Sequence, residues 1–379
     1  MNIAFVSTYN AHDVSNWSGL GYYISKSLEE SGNNLQYIGG ITGKATPLNF
    51  LKKAYFSKIK SKKFFYERTV AMAKKYADIV AARLSDDKSE YVFSPGSIPI
   101  AFLKTDRPKI FFTDATFACW LDYYIPSSNL SQDIIRQGHE IEKQALDSCA
   151  LAVYSSEWAA QSAIQFYGAH PSKVKVLPFG ANFSKTISET QVRDFIFKRN
   201  NHKLKILFNG VDYIRKGGDL VLSTVTKLRE KGVDVELHFV GLAVLPFDTV
   251  PDFIINHGYL KKAIPEENAL LENLYQTSHF LFLPSKAEAF GCVFCEASAF
   301  GMPSISRKTG GITSAITDGV NGFTLDVSAS ADDYADLIYS YFIDKEKYNQ
   351  LALSSYFEYK KRLNWKSTGG SLTGLIKQL

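Results

Sequence analysis

Cysteine is scarce. Cys119, Cys149, Cys292 and Cys295 are the only four in 379 residues, too few for a disulfide scaffold in a chain of this length. A reduced, cytosolic setting is the expectation. No stretch of 18 consecutive apolar residues occurs, which argues against a spanning helix. The opening "MNIAFVSTYN" lacks the basic segment of a leader and reads as a strand. Charge of one sign is not concentrated either: a net charge of +5 suits an anionic ligand or an acidic surface, but is too dispersed for a nucleic-acid face. No repeat of solenoid period and no low-complexity tract is present. Among the seven histidines no two have metal-ligand spacing, and "HEIEK" at 139 lacks the second histidine of a zinc helix. "CVFC" is the only Cys-x-x-Cys, at helical positions that a buried leucine could fill, so Cys292 and Cys295 read as core residues.

What is abundant is apolar sequence, 45% of the chain. The length exceeds the roughly 250 to 300 residues at which a single core stops growing, so two domains are expected. Short apolar runs alternate with helical patterns. "NIAFVS" leads through "NAHDVSNWSGLG" into "YYISKSLEESG", and near the middle "KLKILFNG" leads through "VDYIRKGG" into "DLVLSTVTKLREKG". "EYVFSPG", "PKIFFTDATF", "ALAVYSS" and "KVKVLPFG" supply further strands in the first half; "VELHFVG", "HFLFLPS" and "PSIS" do so in the second. This alternation predicts parallel sheets covered by helices on both faces. The polar stretch 182–202 marks the junction between residues 1–184 and residues 185–359.

Parallel sheets bind ligands beyond the carboxyl ends of their strands. "SKAEAFGCVFCEASAFGMP" follows the strand "HFLFLP" and carries two acids eight positions apart, Glu288 in the loop and Glu296 in the helix that Gly301 and Pro303 terminate. Unpaired acids are seldom buried, so either this segment is half exposed or a ligand meets it. A vicinal diol, offered by sugars and riboses alike, suits a carboxylate, and the N–H groups near Phe290, Gly291 and Cys292 suit hydroxyl or phosphate oxygens.

The form "EAFGCVFCE" after an apolar strand and Pro284 resembles the signature of the retaining glycosyltransferases of family 4. "GVDYIRKGG", "SSEWAAQSAIQFYGAHPSKVKVLPFGANF" and "GMPSISRKTGGITSAITDGVNGF" are similar, in order, to that family's basic phosphate loop, interdomain connection and terminal glycine pattern. The resemblance implies an α/β GT-B fold: two Rossmann-like domains facing across a cleft, with the last helix, in the tail 360–379, crossing back to join the N-terminal, acceptor-binding domain. Trp365 is expected near that crossing.

By the same resemblance Glu288 orients the donor sugar, with the Phe290 and Gly291 backbone, and Glu296 binds the ribose diol. Lys216, assisted by Arg215, neutralises the diphosphate, and Gly210 closes the strand ahead of them. Where relatives often place an arginine after this glycine, the chain has Val211; where they often place a histidine in the first domain, it has Asp114, facing either the donor sugar or the attacking hydroxyl. Gly19 and Gly21 resemble the family's first glycine loop, with Ser18 where a further glycine is common. The implied reaction is transfer of a hexosyl group from a UDP- or GDP-sugar to a glycan or lipid-linked hydroxyl, with retention and by front-face displacement. No metal or other cofactor is expected. A nucleotide-sugar epimerase and a non-catalytic nucleotide-sugar sensor are the rival readings. Residues 48–66, with Leu48, Leu51, Tyr55 and Ile59 at helical spacing amid lysines, fit a peripheral contact with the inner membrane face or a helix packed on the first sheet.

Overall fold

Eight of the twelve strands among the described residues carry three or more apolar residues, and the most apolar of them lie inside a sheet rather than at its edge, where both faces are covered. The computed structural model describes residues 1–41, 51, 53–56, 58, 60–183, 185–199, 202–247 and 249–379. These form two compact units, Met1–Pro178 with Trp365–Leu379, and Phe179–Asn364. The crossings lie a few residues from the expected 184/185 and 359/360. The Ala181 N–H donates to the Leu363 carbonyl at 3.0 Å, so both connecting segments pair within the second unit.

In the first unit β1 (Asn2–Val6), β2 (Asn34–Ile38), β3 (Tyr91–Ser94), β4 (Lys109–Thr113), β5 (Leu151–Tyr154) and β6 (Val174–Val176) form one sheet in the order β2-β1-β3-β4-β5-β6. Every pairing is parallel. The second unit repeats the plan with β7 (Leu204–Asn209), β8 (Val235–Val240), β9 (Ile254–Asn256), β10 (Phe280–Phe282), β11 (Ser304–Arg307) and β12 (Gly322–Leu325), in the order β12-β11-β10-β7-β8-β9. Again all pairs are parallel. These are the two Rossmann-like α/β sheets that the sequence pattern predicts.

The last helix, Trp365–Ile376, belongs to the first unit. Trp365 stacks on Tyr23 with ring centroids 6.0 Å apart, and the Thr368 hydroxyl donates to the Pro178 carbonyl at 2.8 Å. Part of the basic segment expected to form an amphipathic helix, including Leu48, Lys52 and Ile59, lies outside the described residues. Of the rest, Leu51 and Tyr55 are exposed beside exposed Lys53, Lys58, Lys60 and Lys63. Among the described residues no helix is long and apolar enough to cross a membrane.

Candidate active site

In the second unit β7 and β10 are neighbours, so the loops at their carboxyl ends meet. Gly210 ends β7, and a Cβ there would lie 2.9 Å from Lys216 Cγ. Glycine therefore leaves the lane along which the Lys216 stem returns. Lys216, buried, forms an ion pair with Glu288 of the loop after β10. The Arg215 guanidinium donates to the Ala287 carbonyl at 3.0 Å and stands 3.9 Å from Glu288 Oε2, while Asp212 flanks it at 3.4 Å. The Lys286 N–H donates to the Arg215 carbonyl at 2.7 Å, lacing the two loops together.

The helix Cys292–Ala299 starts after Gly291, whose φ of 89° is a left-handed value that glycine adopts without strain. Phe290 is buried edge-on against Phe179, ring centroids 5.4 Å apart, which fixes the backbone leading into the first turn. Glu296 lies one turn in and is 5% exposed. Its burial is tolerated because both carboxylate oxygens are paired. Lys262 binds Oε1, and the Tyr275 hydroxyl donates to Oε2 at 2.9 Å. Tyr275 is held in turn by the Asn209 amide, which donates to its oxygen at 2.9 Å. Burial, and then the Glu296 charge, push the Tyr275 hydroxyl well above its ordinary pKa, so it stays a donor. Lys262 also donates to the Asn182 carbonyl at 3.2 Å and stands 4.8 Å from the Phe183 ring centroid.

The structure thus brings Gly210, Arg215, Lys216, Glu288, Phe290, Gly291 and Glu296 into one unit, and places Asp114, Gly19 and Gly21 in the other. Asp114 follows β4 and lines a cavity with Tyr9. Gly21 opens the helix Leu20–Glu30, where a Cβ would come within 2.5 Å of the Tyr9 hydroxyl, so its smallness seats Tyr9. Ser18, standing where a glycine is common, still takes a left-handed φ of 55°, a conformation that costs a side-chain-bearing residue energy. Tyr275, Lys262 and Asn209 were not legible as site residues. They sit in an ordinary helix, a turn and a strand end, and only the packing of β7 beside β10 gathers them. The two cysteines of "CVFC" are not joined in a disulfide; Cys295 is fully buried, and its Sγ lies 3.4 Å from the Phe179 carbonyl, toward which it donates. Among the described residues no three His, Cys, Asp or Glu side chains are grouped to hold a metal ion.

Residues 190–356 match the family model described as glycosyl transferases group 1. The chain is similar to a D-inositol 3-phosphate glycosyltransferase of Paenarthrobacter aurescens, 25% identical over 225 residues that cover 55% of this chain and 53% of that protein. The chain thus spans about half the length of the curated relatives it matches. Among solved structures, sucrose-phosphate synthase of Thermosynechococcus elongatus superposes with a TM-score of 0.69 at 14% identity, over 100% of this chain and 98% of that one. Anabaena HepE in complex with UDP-glucose superposes with a TM-score of 0.64 at 14% identity over 100% of both chains. The fold is that of the GT-B glycosyltransferases.

Proposed function

We propose that this chain is a retaining hexosyltransferase of family 4 that uses a UDP- or GDP-sugar and a glycan or lipid-linked acceptor. The observation that carries the reading is the assembly of Lys216, Arg215 and Glu288 beside the buried Glu296, at the carboxyl ends of β7 and β10. It lies within the segment that matches the glycosyltransferase model. The relatives named as glycosyltransferases, and a neighbour of the same fold crystallised with UDP-glucose, support a nucleotide-sugar donor.

In this reading Glu296 accepts the ribose hydroxyls, sharing its carboxylate with Tyr275 and exchanging Lys262 for the diol. Glu288 orients the sugar, and Lys216 and Arg215 face the diphosphate. The acceptor oxygen bonds to the anomeric carbon as the bond from that carbon to the diphosphate oxygen breaks. Its proton passes to a diphosphate oxygen on the same side. Charge develops on the leaving group, where fixed cations stabilise it most in a site shielded from water. A double displacement would need both acids at one anomeric carbon, the two carboxyls of retaining glycosidases being about 5 to 5.5 Å apart, whereas here Glu288 and Glu296 hold separate sets of partners.

The test is a panel of UDP- and GDP-sugars incubated with and without glycan and lipid-linked acceptors, reading released nucleotide and the anomeric configuration of the product by NMR. Acceptor-dependent nucleotide release with a retained anomer is expected. Isomerised donor without acceptor would instead identify an epimerase, and donor binding with no turnover a sensor.

A further inference from the structure

Both carboxylate oxygens of the buried Glu296 are paired, but the two partners differ in where they stand. Tyr275 is fully buried and reaches Oε2 from within the second unit. Lys262 reaches Oε1 from the turn between β9 and the helix Pro265–Thr277, and its side chain is 36% exposed against 11% for Lys216. A ligand coming to Glu296 from solvent therefore meets the ammonium and not the phenol. Such a pair is partly screened by water, so breaking it costs less than breaking one in the interior.

The ammonium also has somewhere to stay when Oε1 is taken. It donates to the Asn182 carbonyl at 3.2 Å and stands 4.8 Å from the Phe183 ring centroid, within cation–π range. Giving up Oε1 forfeits one of these three contacts and keeps two. Phe183 is fixed edge-on against Tyr275 and Phe300, with centroids 5.7 and 5.3 Å away. The turn that carries Lys262 is fixed as well. The Ile264 N–H donates to the Lys261 carbonyl at 3.0 Å, and the Lys261 N–H donates to the Glu267 carboxylate at 2.5 Å. The backbone holds its place while the flexible lysine stem pivots.

A buried carboxylate needs partners at every stage of a turnover, because an unpaired buried charge is costly. Tyr275 serves one oxygen throughout, and the other passes between the ribose and Lys262. We propose that Lys262 competes with the ribose diol for Glu296, and so sets how tightly the nucleotide is held and how fast it leaves after transfer. By returning to Oε1 as the ribose departs, Lys262 keeps the acid paired and hastens release of the nucleotide diphosphate. This rests on the reading above in which Glu296 takes the ribose. It adds to that reading a cation that weakens nucleotide binding, where Lys216 and Arg215 strengthen it.

The test is calorimetry of the full chain with UDP, GDP and the 2′,3′-dideoxy analogue of whichever binds more tightly. Lys262→Met is expected to hold that nucleotide about tenfold more tightly than the parent, the worth of one charge-assisted contact, with the dideoxy analogue changed by less than about twofold. Stopped-flow displacement should show the gain as slower dissociation. Lys262→Gln, a second neutral variant, should shift in the same direction, and Lys262→Arg, which keeps a competing cation, should stay within about threefold of the parent. Unchanged or weaker binding of the nucleotide by both neutral variants overturns the proposal and leaves the donor reading standing. An equal gain for the dideoxy analogue also overturns it, since Lys262 would then act on another part of the nucleotide. Failure of the unaltered chain to bind either nucleotide strikes the donor reading itself, and this proposal with it.

Discussion

Lys216 and Glu288 pair with each other, so neither is an unpaired buried charge. In the proposed reading a diphosphate competes for a cation already held in position, which costs little reorganisation. Lys216→Ala is expected to lower kcat by about 10²- to 10³-fold, the scale of losing one charge-stabilising donor. Unchanged turnover in a donor-saturated assay would remove Lys216 from the mechanism. Glu296→Gln keeps the shape but offers one acceptor oxygen where the carboxylate offers two, and leaves Lys262 without its anion. An increase of about tenfold or more in donor KM with a smaller change in kcat is expected, read from initial rates across donor concentration. Both acids were legible in the sequence because each lies within one local segment. The partners that make Glu296 tolerable were not, since Tyr275, Lys262 and Asn209 come from three other segments.

The secondary elements show the same boundary between local and assembled information. The central strands, such as β4 with all five residues buried, announce themselves as apolar runs. β2, β9 and β12 do not: each lies at the edge of its sheet, with exposed or half-buried positions interrupting the run. An edge strand needs apolar residues on fewer positions, so its pattern fades into that of a loop. Arg199 makes the converse point. Part of a polar helix by sequence, it is 1% exposed and donates to the carbonyls of Gln276, Tyr275, Phe300 and Gly301 at 2.6 to 2.9 Å. Those carbonyls end the helices Pro265–Thr277 and Cys292–Ala299, which carry Tyr275 and Glu296. A cation between two helix C-termini is favoured by both dipoles. Arg199→Met is expected to cost about 3 to 5 kcal/mol, since it strands several buried carbonyls at once. Urea unfolding followed by tryptophan fluorescence measures this, and a shift under 1 kcal/mol would count against the clamp.

At the scale of the molecule the two units carry acid-base groups that respond to pH in opposite directions. In the first, burial pushes Glu142 up from 4.5 to about 7. The fold favours its protonated form, so its contribution is complete below pH 4.5 and is lost as pH rises through 7. In the second, burial and then the Arg199 charge push His279 down from 6.5 to about 3, where it is held neutral by donating to the Arg199 carbonyl at 2.6 Å and accepting from the Lys205 N–H at 3.1 Å. Its contribution is present above pH 6.5 and is lost as pH falls toward 3. The stability difference between the parent and Glu142→Gln should therefore decline from pH 4.5 to 7, and that between the parent and His279→Gln should decline from pH 6.5 downward. Thermal melts across this range read both trends; a flat difference for either variant would show that its group is not held as described.

By itself the sequence determined that the chain forms two parallel α/β units and where the acidic pair and the basic loop fall along it. Strand periodicity, glycine turns and helix stops are properties of neighbouring residues, and their free energies are settled over a few positions. The tertiary structure decided which side chains share a charge, which hydroxyls are buried without a partner, and which arginine holds two helix ends. Those outcomes depend on strand order, since β7 meets β10 and β1 meets β3 only once each sheet is assembled, and burial then sets the cost of every polar group left without a partner.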